Sequence, residues 1–138
     1  MNRFLLIFIL FFLSVSGLYA QDENNNADKI REKMTEFIQR RLNLSRNEAE
    51  KFSPVFMRYF QEWRSTLQAF KGGPKLDLQQ QIVGLRLRYR NEFKDIIGER
   101  RSNEVFEQQE RFIEGVRKMR EEQRVESRPN RRIRPMMQ

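Results

Sequence analysis

The apolar residues between positions 45 and 70 recur every three or four residues, and this feature constrains the fold more than any other. Such spacing is typical of an amphipathic α-helix rather than a strand. Ser45, followed three residues later by Glu48, predicts a capping box, and Leu44 with Ala49 predicts the hydrophobic staple that often accompanies one. The helix therefore starts at Ser45. Its apolar face carries a run of aromatic side chains: Phe52, Phe56, Tyr59, Phe60 and Trp63.

Prolines and glycines predict the shape of this helix. Pro54 falls inside it, where the missing N–H removes one backbone hydrogen bond and should bend the helix. Gly72-Gly73-Pro74 ends it, because this combination stops a helix and favours a turn. The next helical pattern begins at about Asp77, so the two helices are predicted to form a long helical hairpin.

Three further segments show helical periodicity, at about residues 27–42, 77–97 and 102–124, and no segment shows strand alternation. The prediction is an all-α fold of four helices with the hairpin at its centre. A closed bundle is one arrangement. The second helix has a wide aromatic face, whereas the first and fourth have modest ones, so an open, cradle-like homodimer accounts better for the imbalance. The aromatic residues of the second helix are then predicted to lie in the core or at the dimer interface rather than at a binding site.

The third helix has two apolar faces. Leu78, Ile82, Leu85, Tyr89 and Phe93 lie on its main face and are predicted to be core. A second line on the opposite side mixes apolar and cationic side chains and forms a candidate binding surface. The alternative is a second packing surface for a neighbouring helix or another protomer. The residues of this line are Val83, Leu87, Arg90 and Lys94.

The first 20 residues are predicted to be a secretory signal peptide. Arg3 is followed by an unbroken apolar run at 4–13, then by small residues and the polar run 21–26. The apolar run is shorter than the roughly 20 residues that a membrane span needs. Cleavage is expected after Ala20. Cleavage after Gly17 and an uncleaved anchor are the alternatives, and a lipoprotein anchor is excluded because no Cys follows the run.

The composition argues against an enzyme. The chain contains no Cys and no His, which removes thiol nucleophiles, imidazole bases and the usual transition-metal ligands. Its carboxylates are scattered through helical charge patterns. Met57, Met119, Met136 and Met137 could suggest Cu(I), but their spacing forms no cluster. No catalytic site, cofactor or metal is therefore expected, and without disulfides the stability must come from packing or from a partner chain.

The net charge of +8 at pH 7 predicts acidic partners. Export argues against nucleic acid, so acidic polypeptide segments and anionic lipid surfaces are favoured. After a polar linker at 21–26, the helical domain is predicted at 27–123. Residues 124–138 are rich in Arg and have little to bury, so they are predicted to form a disordered tail, with weak contact to an anionic membrane as an open role.

The stretch Leu44-Ser45-Arg46-Asn47-Glu48 resembles the LTXXQ motif of the Spy/CpxP family of periplasmic stress proteins, with Ser for Thr and Glu for Gln. Residues 49–56 resemble the aekFwPvy pattern of its Bacteroidetes-type members, and the resemblance covers about residues 28–123. The family often has a second LTXXQ motif before its last helix. Here residues 101–105 keep only the Ser, at Ser102, as a predicted cap.

The resemblance implies a periplasmic, ATP-independent chaperone of envelope stress. Such proteins are cradle-shaped antiparallel homodimers that hold unfolded or partly folded envelope proteins, their clients, on a basic concave face with apolar patches. The second line of the third helix is then the candidate client-binding surface. The alternative is an accessory sensor or regulator that docks on one membrane protein of a sigma-factor or two-component stress system. The His-rich metal sites of some members are not carried over, because this chain has no His.

Overall fold

The computed structural model describes residues 17–127, with side chains from residue 25 onward. Its four helices are α1 (Gly17–Arg41), α2 (Arg46–Ala69), α3 (Lys75–Ile97) and α4 (Glu99–Glu126), and no strand occurs within residues 17–127. The predicted all-α fold of four helices with a long central hairpin, α2 and α3, is confirmed. Most of the predicted signal peptide (1–16) and most of the Arg-rich tail (128–138) lie outside the described residues.

Both hydrogen bonds of the capping box are present at the start of α2. The Glu48 N–H donates to the Ser45 hydroxyl at 3.2 Å, and the Ser45 N–H donates to the Glu48 carboxylate at 3.0 Å. Just before the cap, Asn43 adopts a φ of 52°, a left-handed conformation that Asn tolerates better than most residues. Leu44 is partly buried against the core. The local sequence therefore fixes the direction in which α2 leaves the turn after α1.

The α2 helix continues without interruption across Pro54, which is exposed. Because Pro54 has no N–H, the carbonyl of Glu50 has no partner four residues on. One residue earlier, the Ser53 hydroxyl donates to the Ala49 carbonyl at 2.8 Å and accepts from the Gln39 amide at 2.8 Å. This polar contact ties α1 to the first half of α2, and a bend at Pro54 stays a prediction.

Two helix starts differ from the prediction. The first helix begins at Gly17 rather than near residue 27, so the expected polar linker at 21–26 is helical. Extending an existing helix avoids the cost of nucleation. The last helix begins at Glu99, directly after Gly98, whose φ of 84° reverses the chain in a single residue. The predicted cap at Ser102 is therefore wrong: Ser102 is buried inside α4, and its hydroxyl donates to the Glu99 carbonyl at 2.7 Å.

The main helix contacts form a ring, because α1 and α3 both pack against α2 and α4. The core between them is rich in aromatic rings: Phe93 lies 5.0 Å from Phe52 and 6.4 Å from Tyr59, measured between ring centroids, and Phe106 lies 5.3 Å from Tyr59. Four of the five aromatic residues predicted for core or dimer interface are buried within the single chain, namely Phe52, Phe56, Tyr59 and Phe60. A single chain therefore covers most of the aromatic face, and that face gives no reason for a dimer. The cradle-like homodimer stays a prediction.

The buried residues lie in one half of the bundle. We call this the closed half; it comprises residues 34–42, 52–60, 85–97 and 102–109. The opposite ends of the helices form the open half, in which no described residue is buried; it comprises residues 25–33, 61–69, 75–84 and 110–126. Apolar side chains are nevertheless present there and partly exposed, as Leu76 and Met119 show at 77% and 57% exposure. The open half therefore leaves apolar surface available for binding.

Candidate functional site

The structure brings together three of the four residues of the candidate surface on α3. Val83 and Leu87 are 55% and 48% exposed, and with Arg90 they line a shallow cavity of about 220 Å³ between α3 and α4. On the α4 side this cavity is lined by Phe106, whose ring has the Arg86 guanidinium 5.5 Å from its centroid. Phe106 packs against the core, so the cavity has an apolar base and cationic edges.

Lys94 does not line this cavity. Its ammonium lies 3.5 Å from the Glu99 carboxylate, at the junction of α3 and α4, and both side chains are mostly exposed. Lys94 therefore belongs to a solvated ion pair rather than to the cavity. The alternative role of this face, as a packing surface, is not fulfilled within the described chain, because Val83 and Leu87 remain exposed.

A larger apolar groove lies in the open half, between α1, α2 and α4. Its volume is about 490 Å³. Met34 and Phe60 are buried core residues and form its base, so the groove opens directly onto the core. Trp63 packs on Phe60 with the ring centroids 5.7 Å apart. The remaining apolar side chains of the lining are Ala27, Ile30, Leu67, Phe112, Ile113 and Val116.

Three arginines, Arg64, Arg117 and Arg120, complete the groove lining. We call them the arginine rim. Arg117 donates to the Glu114 carboxylate at 2.8 Å, and this hydrogen bond raises the pKa of Arg117 and lowers that of Glu114. Arg64 and Arg120 form no ion pair with any described side chain. Arg64 and Arg120 are thus available to attract an anionic group. The apolar side chains below them disfavour burial of a charged side chain in the groove.

The described residues offer neither a metal site nor a membrane span. They contain no group of three His, Cys, Asp or Glu side chains that could hold a metal ion. None of the helices described is long and apolar enough to cross a membrane. Met57 and Met119 lie on α2 and α4, and Met136 and Met137 lie outside the described residues.

Comparison with known proteins identifies no relative. The chain matches no protein-family model, no curated protein and no solved structure. The resemblance to the Spy/CpxP family therefore stays a prediction, carried by Leu44, Ser45, Glu48 and the residues at 49–56 that follow them.

The position of the groove could have been predicted from the arginines that follow its apolar residues along each helix. Each arginine of the rim follows an apolar groove residue by four positions, and so lies one turn further along the same helix face. The pairs are Phe60 with Arg64, Ile113 with Arg117, and Val116 with Arg120. A cation in line with an apolar stripe indicates that the stripe ends at solvent. The buried stripe of α3 has no such cation in line: its positions are Leu85, Tyr89, Phe93 and Ile97.

Proposed function

We propose that the protein is an exported, ATP-independent holding chaperone that binds exposed apolar segments of unfolded or partly folded envelope proteins. The observation that carries this proposal is the groove of about 490 Å³, which combines an apolar floor with an arginine rim. A concave, mostly apolar site with a few placed polar groups is the usual form of a binding site. The net charge of +8 supports acidic or flexible clients as partners.

The expected binding is weak and reversible. Burial of one leucine-sized side chain contributes about 1.5–3 kcal/mol, so three such contacts contribute about 5–9 kcal/mol. Association itself costs about 4–15 kcal/mol in lost freedom of motion. The two contributions nearly cancel, and such a balance suits a chaperone that releases its client without ATP. The exposed arginines mainly speed encounter and make it sensitive to salt, because such charges are screened over about 10 Å at 0.1 M ionic strength.

The direct test is suppression of aggregation by the chain that begins at Gln21. Two unrelated unfolded proteins serve as clients, and light scattering measures their aggregation at low and at moderate salt. We expect protection of both clients, and weaker protection at the higher salt. A regulator that docks on one membrane protein would protect neither, and that result would contradict the proposal.

Matched variants then locate the binding site. Leu67→Ser removes an apolar wall of the groove, and Leu76→Ser makes the same change at a 77% exposed position outside it. We expect the first variant to lose protection and the second to keep it. Circular dichroism checks that both stay folded. Equal protection by the two variants would exclude the groove as the client site.

A second pair of variants compares the groove with the candidate surface on α3. Arg64→Glu with Arg120→Glu and Arg90→Glu with Lys94→Glu change the net charge equally but at different places. Loss of protection of acidic clients only in the first pair supports the groove. Loss only in the second pair assigns the clients to the α3 surface instead. Arg90, Lys94 and Arg120 are exposed and Arg64 is partly buried, so both pairs should stay folded, and circular dichroism checks this.

A further inference from the structure

We infer that the groove recognises one particular kind of client segment: an amphipathic α-helix of about two turns, with acidic residues beside its apolar stripe. The inference rests on the proposed function of the groove as a client site, and it specifies the class of ligand. Four properties of the groove support it: its walls, its length, its charge and the chemistry of its backbone.

The walls of the groove come from three of the four helices. In the closed half, all four helices contribute buried residues to the core. In the open half, the described side chains that line the groove come from α1, α2 and α4, and none comes from α3. The base of the groove is the end of the core itself, formed by Met34 and Phe60. A helix bound here packs on α1, α2 and α4 and covers the exposed end of the core.

The length of the groove matches two helical turns. Its lining runs from Ala27 to Met34 on α1, over 60–67 on α2 and over 112–120 on α4. At about 1.5 Å per residue, these segments are roughly 11–12 Å long. Helices that dock in grooves use apolar anchors at i, i+3 or i+4, and i+7, which span about the same distance. One such set of anchors fills the groove.

The charge of the groove favours an acidic ligand over the two terminal segments of this protein. The arginine rim would repel the tail at 128–138, which has four arginines and no acidic residue. It would also repel the leader at 1–16, whose only charged side chain is Arg3. A second copy docked through a two-fold axis would place the rim against itself. Carboxylates beside the apolar stripe of a foreign helix would instead pair with Arg64 and Arg120, which form no ion pair with the described side chains.

The backbone of the groove favours a helix over an extended chain. All lining segments belong to helices, so their N–H and C=O groups are already paired along α1, α2 and α4. The groove therefore has no sheet edge to which a strand could add. An extended segment would bring unpaired backbone groups onto an apolar floor, and each such group costs free energy when it is buried without a partner. A helix satisfies its own backbone and presents only side chains.

Synthetic peptides without tryptophan test this inference. Trp63 lies in the groove and is the only Trp of the chain, so its fluorescence reports occupancy. The probe peptide carries leucines at i, i+3, i+4 and i+7 with flanking glutamates. A shuffled peptide of the same composition, a peptide with Lys for Glu, and a peptide with a central Pro are the controls. We expect only the probe to shift Trp63 emission and to gain helicity by circular dichroism.

A charge exchange provides the decisive control. Arg64→Glu with Arg120→Glu should weaken binding of the acidic peptide about tenfold at low salt and should allow the Lys peptide to bind. Equal binding of the shuffled or Pro-containing peptide would overturn the inference, and so would a concentration-dependent dimer that blocks the probe. If clients are protected from aggregation but no peptide binds, the inference fails and the proposed function stands. If the acidic peptide binds and no client is protected, the proposed function fails and the ligand class stands.

Discussion

Tyr59 and Gln109 form a buried polar pair between α2 and α4, and its energetics can be predicted from the structure. Both side chains are 0% exposed. The Tyr59 hydroxyl donates to Gln109 Oε1 at 2.6 Å, whereas Gln109 Nε2 has no hydrogen-bond partner among the described residues. One hydrogen bond therefore links the aromatic centre of the core to α4, and one amide group beside it is buried without a partner.

The two single substitutions should differ in cost. Tyr59→Phe leaves the whole Gln109 amide unpaired, which costs about 1–3 kcal/mol of unfolding free energy. Gln109→Leu removes the unpaired Nε2 and leaves the Tyr59 hydroxyl beside the Arg86 guanidinium, which also interacts with it, so its net cost should be smaller. The double variant removes both polar groups of this pair. We expect its stability to equal or exceed that of the wild type, because replacing both partners by apolar groups is nearly neutral or stabilising.

Urea and thermal unfolding, followed by circular dichroism, measure this cycle. A change of 1 kcal/mol shifts Tm by about 4–8 °C in a domain of this size. Tyr59→Phe should therefore lower Tm by several degrees, and adding Gln109→Leu should restore it. If the double variant instead loses the sum of the two single losses, the side chains are not coupled and α4 does not pack on Tyr59 as described.

Three further predictions concern α2 and its contacts. Pro54→Ala restores the hydrogen bond that α2 lacks. It should therefore raise Tm, and the free energy of unfolding should increase by at most about 3 kcal/mol; a lower Tm would contradict this. The Arg101 guanidinium and the capping box hold the pKa of Glu48 below its ordinary 4.5. The ionised Glu48 therefore stabilises the fold above pH 4.5, and this stabilisation is lost as the pH falls through the lowered pKa. Glu48→Gln should be less stable than the wild type near neutral pH, and urea unfolding at a series of pH values should show this difference vanish in acid. Burial and the hydrogen bond to the Glu62 carboxylate raise the pKa of Tyr89 from 10.0 to about 12. The free energy of unfolding should therefore fall as the pH rises from 10 to 12. In Tyr89→Phe, urea unfolding should show a smaller fall over the same pH range.

Local signals in the sequence were sufficient for much of the fold. Ser45 and Glu48 mark the start of α2, and the Gly-Gly-Pro stretch marks its end, because caps and breakers act within a few residues. The start of α4 could not be found in the same way. Ser102 has the chemistry of a cap, but Gly98 turns the chain four residues earlier. Ser102 therefore lies within α4, and its burial depends on how α4 packs against the rest of the chain.

The extent of the covered surface was harder to predict than the helices. The aromatic face of α2 was expected to exceed what one chain could cover, yet Phe93, Tyr89 and Phe106 of α3 and α4 cover it. The groove shows the opposite case. Ile30 and Phe112 continue the same stripes as the core residues of α1 and α4, and periodicity alone cannot show where those stripes leave the core. Only the packing of the helices separates a buried position from a groove.

The polar contacts of α4 link the closed half to the groove. Of the four buried residues of α4, three are polar, and only Val105 is apolar. Apolar burial alone would leave the register of such a helix loosely defined, whereas hydrogen bonds and ion pairs require specific positions. The contacts reach all three other helices: Gln108 with Arg41 of α1, Arg101 with Glu48 of α2, and Glu110 with Arg86 of α3. Because these contacts hold α4 at one position along its axis, they also place Arg117 and Arg120 in the lining of the same groove as Arg64. The arginine rim is therefore positioned by the polar contacts of the closed half.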